Sequence, residues 1–445
     1  MISSIFSELA VVAPEILLPM ENISLLNWSV IACDQYTSEP EYWEKVDRQV
    51  GNAPSTLRMI LPEVFLESLS QDEIDEKIRD INLNISEYID RNTFRLLPPG
   101  FIVLDRSSAL HPSRKGLILA VDLEEYDFMP GSKSKIRPTE GTVLSRIPPR
   151  VAIRKDAMLE LPHIMVLIDD PEFSVIDPAL DSASKDPANL LYDTDLMMGG
   201  GHVRGFQVKS DSGESAKIVS ALSRLLSKSE DGFLFAVGDG NHSLATAKTH
   251  WENIRGEIPS DHQSTHPARY ALVEVVNIHD EGLDFEPIHR IVFGLTESLF
   301  LEEAAVYFED CGFSFEKHSG AQVTGNDASI QTVDIVGGPD TFRMTLSKPV
   351  HHLAVGSLQN FLDFLQNKYT ELRIDYIHGA SSVNMLSGPE ALGFLLPPVA
   401  KDSFFESIST SGVFPRKTFS MGEAQEKRYY LEAKMIVSSP SGGNL

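Results

Sequence analysis

The sequence predicts a mixed α/β fold, and three of its features do so. Short apolar runs rich in Val, Ile and Phe recur along the chain, segments with apolar residues at helical spacing alternate with them, and clusters of Gly, Pro, Asp and Ser separate the two kinds. At 445 residues the chain has room for two or three domains of roughly 150 residues each, and its 42% hydrophobic content is ample for packed cores.

The clearest helix starts at Ser70, where Ser70-Gln71-Asp72-Glu73 makes a capping box and Ile74, Ile78, Ile81, Ile85 and Ile89 follow at helical spacing. That stripe reads as core packing. Strands are expected over 101–104, 116–123, 165–168, 233–237 and 270–278, with helices over 215–226 and 241–254 interleaved. Breaker-rich connections fall at 129–138 and 181–189. Gly199-Gly200-Gly201 opens a strand over 202–208 and reads as a hairpin or bulge, because no helix follows it. A helix over 297–308, strands near Val333 and over 341–346, a helix over 357–368 and a closing strand over 429–437 complete the pattern. The expected division is an N-terminal α/β region at 1–130, a central core at 131–300, a C-terminal α/β region at 301–437 and a disordered Ser/Gly-rich tail at 438–445.

Charge and cysteine content exclude several functions. Thirty-eight Lys and Arg against 64 Asp and Glu give a net charge of −26, which repels a nucleic-acid backbone, although a local basic cluster in a cleft can still collect a small anion. Cys33 and Cys311 stand far apart in no metal-knuckle spacing, so neither a disulfide framework nor a structural zinc site is expected, and a reducing cytoplasm fits. The first twenty residues carry Glu8, Pro14 and Glu15 without a basic leader, unlike a signal peptide, and no apolar run approaches the roughly 20 residues that span a bilayer. His262 and His266 have the spacing of a helical metal pair, but Pro267 follows and no third ligand is apparent. Neither a G-x-S-x-G elbow nor a Rossmann or Walker A loop occurs.

One segment carries chemistry of its own. A buried strand ends in Gly238-Asp239-Gly240-Asn241-His242-Ser243, and a helix continues through Lys248. A strand, a glycine turn and a helix start in this order aim free backbone N–H groups and the positive end of the helix dipole at one point, which suits a phosphate. Asp239 adds a Mg²⁺ ligand or proton acceptor, and His242 adds a donor. Equally, Asp239 and Asn241 could cap the helix while His242 packs.

This turn resembles the D-G-H-H-R motif of the ParB-like bacterial family known as domain of unknown function 1015, and it is similar to the phosphate-binding box shared by ParB, sulfiredoxin and free serine kinase. Further matching segments are Arg137-Pro138-Thr139-Glu140-Gly141-Thr142 and residues 284–290, 374–379, 393–398 and 415–419. The resemblance implies a ParB/sulfiredoxin-like core with a mixed sheet and surrounding helices at 131–300, extended by further α/β elements. Asn241 and Ser243 stand where the family has a second histidine and an arginine, so another cation must meet a phosphate. Candidates are Lys248 and the basic series Arg137, Arg146, Arg150, Arg154 and Lys155. Glu140 stands in the family's His-Glu-x-Thr-like block, where a loop carboxylate can take a proton from an attacking alcohol or merely form a surface ion pair. His289 and Arg290 read as an anion clamp on the substrate or as partners of Glu286 and Asp284; His378, Arg416 and Lys417 are similarly ambiguous.

The function implied is a cytoplasmic phosphotransferase. ATP, ADP, CTP or pyrophosphate rests on Gly238, Gly240, Asn241 and Ser243 with Mg²⁺ on Asp239, and Glu140, Asp239 or His242 assists transfer to a small hydroxyl substrate such as serine. The rival is a nucleotide-binding switch without turnover. Either takes a small phosphate-bearing ligand rather than nucleic acid or membrane, and a homo-oligomer is left open.

Overall fold

Phe101 and Val103 enter one apolar core while Ile102 and Leu104 enter another, so the strand Gly100–Ser107 buries both faces and needs a layer on each. The computed structural model describes Phe6 and residues 8–66, 68–318, 330–337 and 340–438. The helices Ile176–Ala183, Gly213–Lys228 and Asn241–Ile254 cover the first face through residues such as Ala179, Leu222 and Trp251. Trp43, Val46 and Val50 of the helix Pro40–Val50 cover the second, together with Tyr429, Tyr430 and Leu431. Mixed α/β is the observed class.

Two compact units result, one made of residues 1–283 with 423–445 and the other of residues 284–422. In the first, nine strands among the described residues form one mixed sheet in the order Ile136–Pro138, Phe235–Asp239, Met165–Ile168, Tyr270–Asn277, Arg114–Asp122, Gly100–Ser107, Gly201–Lys209, Leu190–Leu196, with Val11–Val12 paired to Arg114–Asp122. Residues from 1–130 and from 131–283 thus share a single sheet. The unit 284–422 has its own sheet, of seven strands among the described residues, in which Phe285–Phe293 pairs with Arg373–His378, Ala391–Leu395 and Phe419–Met421. Phe300, Phe361 and Phe394 fill that unit's core.

The strands Met165–Ile168 and Thr341–Leu346 and the helix Asn241–Ile254 occupy the ranges their patterns predict. The closing strand over 429–437 does not form as expected: only Lys434–Met435 pairs as a strand, with Leu159–Glu160, preceded by single bridges at Tyr429 and Ala433. Side chains fasten this segment instead. Arg428 donates to Pro162 O at 2.9 Å and to Glu274 at 2.6 Å and also pairs with Glu432, while Arg106 donates to the carbonyls of Gln425, Glu426 and Lys427. The helices Pro40–Val50 and Ile147–Lys155, which are not among the elements expected from the sequence, carry Pro40 and Pro148 in their first turns, where proline's missing N–H costs nothing. The tail at 438–445 lies, beyond Ser438, outside the described residues.

Candidate functional site

Ile136–Pro138 runs parallel to the strand Phe235–Asp239, whereas Met165–Ile168 runs antiparallel to it. The chain leaving the first two, at Thr139-Glu140 and Gly240-Asn241, therefore meets the chain entering the third, at His163-Ile164, at one end of the sheet. Ligands of open α/β sheets bind beyond such strand ends. Val237 pairs with Val166 and Asp239 with Met165, so Gly238 is an extra residue in a bulge that turns the strand end.

Gly240 has φ +79°, and a Cβ there would stand 3.1 Å from Cα of Ile164. Glycine is favoured on both counts. It is also the N-cap of the 14-residue helix Asn241–Ile254 and offers no side-chain oxygen, so the first N–H groups of that helix receive no side-chain cap. The side chains around them form a connected set. Buried Thr139 donates to Val237 O at 2.7 Å, and Asn241 Nδ2 lies 3.4 Å from Thr139 Oγ1 while its buried Oδ1 has no hydrogen-bond partner. His242 Nε2 accepts from the Val143 N–H at 3.1 Å, which ties the loop carrying Glu140 to the helix start.

Two side chains from the C-terminal segment complete the set. Lys427 Nζ lies 3.0 Å from Asp239 Oδ2, while Asp239 Oδ1 accepts from Gly240 N–H. Tyr430 OH meets His163 Nδ1 at 2.8 Å, and Nε2 of the same ring meets Ser243 Oγ at 2.8 Å. Asp34 Oδ2 stands 3.8 Å from His163 Nε2. Burial opposes ionisation of Asp34, but the charges of His163 and Lys427 and a hydrogen bond from Gln35 prevail and hold its carboxyl below the usual range. Burial, and then Asp34, push the Cys33 thiol up to about 12, so it stays protonated and is no nucleophile.

Most of the cations expected from the sequence have other partners. Arg137 is buried, bonds Asp231 at 2.6 Å and Ser134 O at 2.8 Å, and lies over the Phe233 ring. Arg150 pairs with Glu63, Lys248 donates to Leu123 O at 2.9 Å, and Arg146 is exposed at the start of the helix Ile147–Lys155. His289 and Arg290 belong to the other unit, where His289 Nδ1 accepts from Leu396 N–H and Arg290 binds Gln359 and the carbonyls of Arg416 and Lys417. The cation beside the turn is Lys427. It was missed, as were Asp34, His163 and Tyr430, because no short motif joins residues so distant in the chain; the only sequence trace is a polar group beside an apolar run in each case. Among the described residues no three His, Cys, Asp or Glu side chains gather to hold a metal ion, and Asp239 already has an ammonium partner. A dedicated all-protein Mg²⁺ cage is therefore absent among the described residues.

No curated protein matches the chain. Among solved structures it is similar to a free serine kinase in complex with AMP, at 10% identity over 70% of this chain and 92% of that one, with a TM-score of 0.36. A conserved hypothetical protein from Pyrococcus furiosus is 10% identical over 71% of this chain and 98% of that one, with a TM-score of 0.34. SbnI with C-terminal truncation from Staphylococcus aureus is 9% identical over 68% and 82%, with a TM-score of 0.34. No helix among the described residues is long and apolar enough to cross a membrane. A family model covers residues 17–372, from before Cys33 to beyond the whole Gly238–Ser243 turn, and the chain therefore belongs to the family described as Protein of unknown function (DUF1015).

Proposed function

We propose that the turn Gly238–Ser243 holds the phosphates of a nucleotide or of pyrophosphate, and that the protein transfers phosphate from it to a small hydroxyl substrate. The observation that carries this reading is a helix start capped only by Gly240 and flanked by Lys427. N–H groups without a side-chain cap, the helix dipole and an ammonium favour the same ligand, an anion with several oxygens. Lys427 supplies the cation that Asn241 and Ser243 do not. In the transfer, the acceptor oxygen forms a bond to phosphorus as the bridging P–O bond of the donor breaks, and Glu140 takes the acceptor's proton. Asp239 holds Lys427 in place, and His242 holds the loop of Glu140. Both cysteines are free, in keeping with a cytoplasmic setting.

A second reading has an observation of its own. Lys427 sits on the C-terminal segment, so a phosphate that draws Lys427 from Asp239 changes how that segment is held, as a nucleotide-operated switch requires. Incubation with ATP, ADP, CTP or pyrophosphate, Mg²⁺ and a pool of amino acids and alcohols, followed by phosphorus NMR, separates the two. New phosphomonoester that vanishes in Glu140→Gln supports the transferase. Calorimetric binding without product supports the switch, and absence of binding refutes both.

A further inference from the structure

A cavity of about 180 Å³ lies beside the phosphate turn. Most of its wall is apolar, supplied by Met59, Leu61, Ile81, Ile85, Ile153 and Leu159. Two members of the isoleucine stripe on the helix Gln71–Asp90 thus line a void as well as packing the core. At one end the lining turns polar, with Ser243, His163, Tyr430 and Cys33. Ser243 stands on the helix start itself, three positions after Gly240, and joins the cavity to the turn.

Hydrogen-bond valence at that end is informative. Ser243 Oγ and His163 Nε2 share one bond at 2.8 Å, and His163 Nδ1 meets Tyr430 OH at 2.8 Å. Whether Ser243 Oγ donates to His163 or accepts from it, at least one lone pair stays free, so Ser243 can still accept from a visitor's O–H. The charged groups of the wall are engaged with one another: Arg150 pairs with Glu63, and Arg154 and Lys434 pair with Glu160. A zwitterion such as free serine would bring an ammonium and a carboxylate to walls whose charges already have partners, at a heavy desolvation cost. An apolar body carrying one hydroxyl meets no such cost, and an apolar void of about 150 Å³ is known to accept benzene.

We propose that this cavity binds a small uncharged alcohol with an apolar, aromatic or branched body, its hydroxyl received by Ser243, which His163 holds in place. Its role as acceptor rests on the phosphoryl transfer proposed above, whereas its binding does not. A carboxylate without a cation partner, which the ammonium of a serine acceptor would need, is absent from the described lining.

Calorimetry on the full chain with benzyl alcohol, toluene and L-serine tests the binding. Saturable binding of benzyl alcohol is expected, weakened about tenfold for toluene and lost in Ile85→Phe, which fills the void. Ligand-detected NMR with the unmodified chain, reading saturation transfer from protein methyls such as that of Met59 to the ring protons, gives the same answer without relying on a variant. No saturable binding of benzyl alcohol, or tighter binding of serine, overturns the proposal. ATP binding without alcohol binding refutes this inference alone; alcohol binding without nucleotide binding upholds it and refutes the transferase.

Discussion

Lys427 is the residue on which the anion reading turns, and its replacement gives the sharpest test. Lys427→Met should weaken pyrophosphate or ATP binding about tenfold to a hundredfold by calorimetry, the range of a lost charge-assisted hydrogen bond at ~1.5–3 kcal/mol. The circular dichroism spectrum should stay unchanged; unaltered affinity would remove Lys427 from the site. His250 gives a pH test of a different kind. Burial, and then Arg154, lower its pKa from 6.5 to about 4, so the folded protein keeps it neutral while the unfolded chain takes up a proton below 6.5. Its contribution to stability is complete above pH 6.5 and is lost as pH falls toward 4, at up to about 1.4 kcal/mol per pH unit. Urea titrations at pH 7 and pH 5 should show this loss, and His250→Gln should reduce it.

At the scale of elements, the turn depends on backbone shape more than on any side chain. Gly240→Ala places a Cβ 3.1 Å from Cα of Ile164 on a residue with φ +79°, and should cost ~1–2 kcal/mol in urea unfolding while weakening anion binding. Equal stability of the variant would mean that the turn relaxes without effort. The strand, turn and helix around Gly240 were legible because each left a local mark: apolar residues for the strand, glycines for the turn, a 3.6-residue period for Asn241–Ile254. The capping box at Ser70 was equally legible, and its Glu73 accepts from Ser70 N–H at 2.8 Å. Partners supplied by other elements were not. Arg137 reads as basic from the sequence, yet whether it faces a ligand or Asp231 depends on a residue 94 positions away. Asp34, His163 and Tyr430 have no periodicity to mark them, since chain crossings that meet only in three dimensions bring them together.

For the molecule as a whole, the segment after the 284–422 unit returns to the first sheet, and buried arginines hold it there. Arg428 is 4% exposed and Glu274 2% exposed. Removing the arginine leaves Glu274 with the more distant Arg114 at 3.5 Å and leaves Glu432 only the neutral Tyr192 hydroxyl, with no cation. Arg428→Met should therefore destabilise the protein by about 3–5 kcal/mol in chemical denaturation, because an uncompensated buried carboxylate is costly. A loss under 1 kcal/mol would show that water or Arg114 takes over.

The position of Lys427 and Tyr430, synthesised only after residues 284–422, sets an order of events during translation. A nascent chain can assemble the glycine turn and the 284–422 sheet while still lacking the ammonium and the phenol beside that turn. On the function proposed above, full affinity for an anion is thus withheld until late in synthesis, and a product stalled just short of Glu423 would hold nucleotides more weakly than the finished chain.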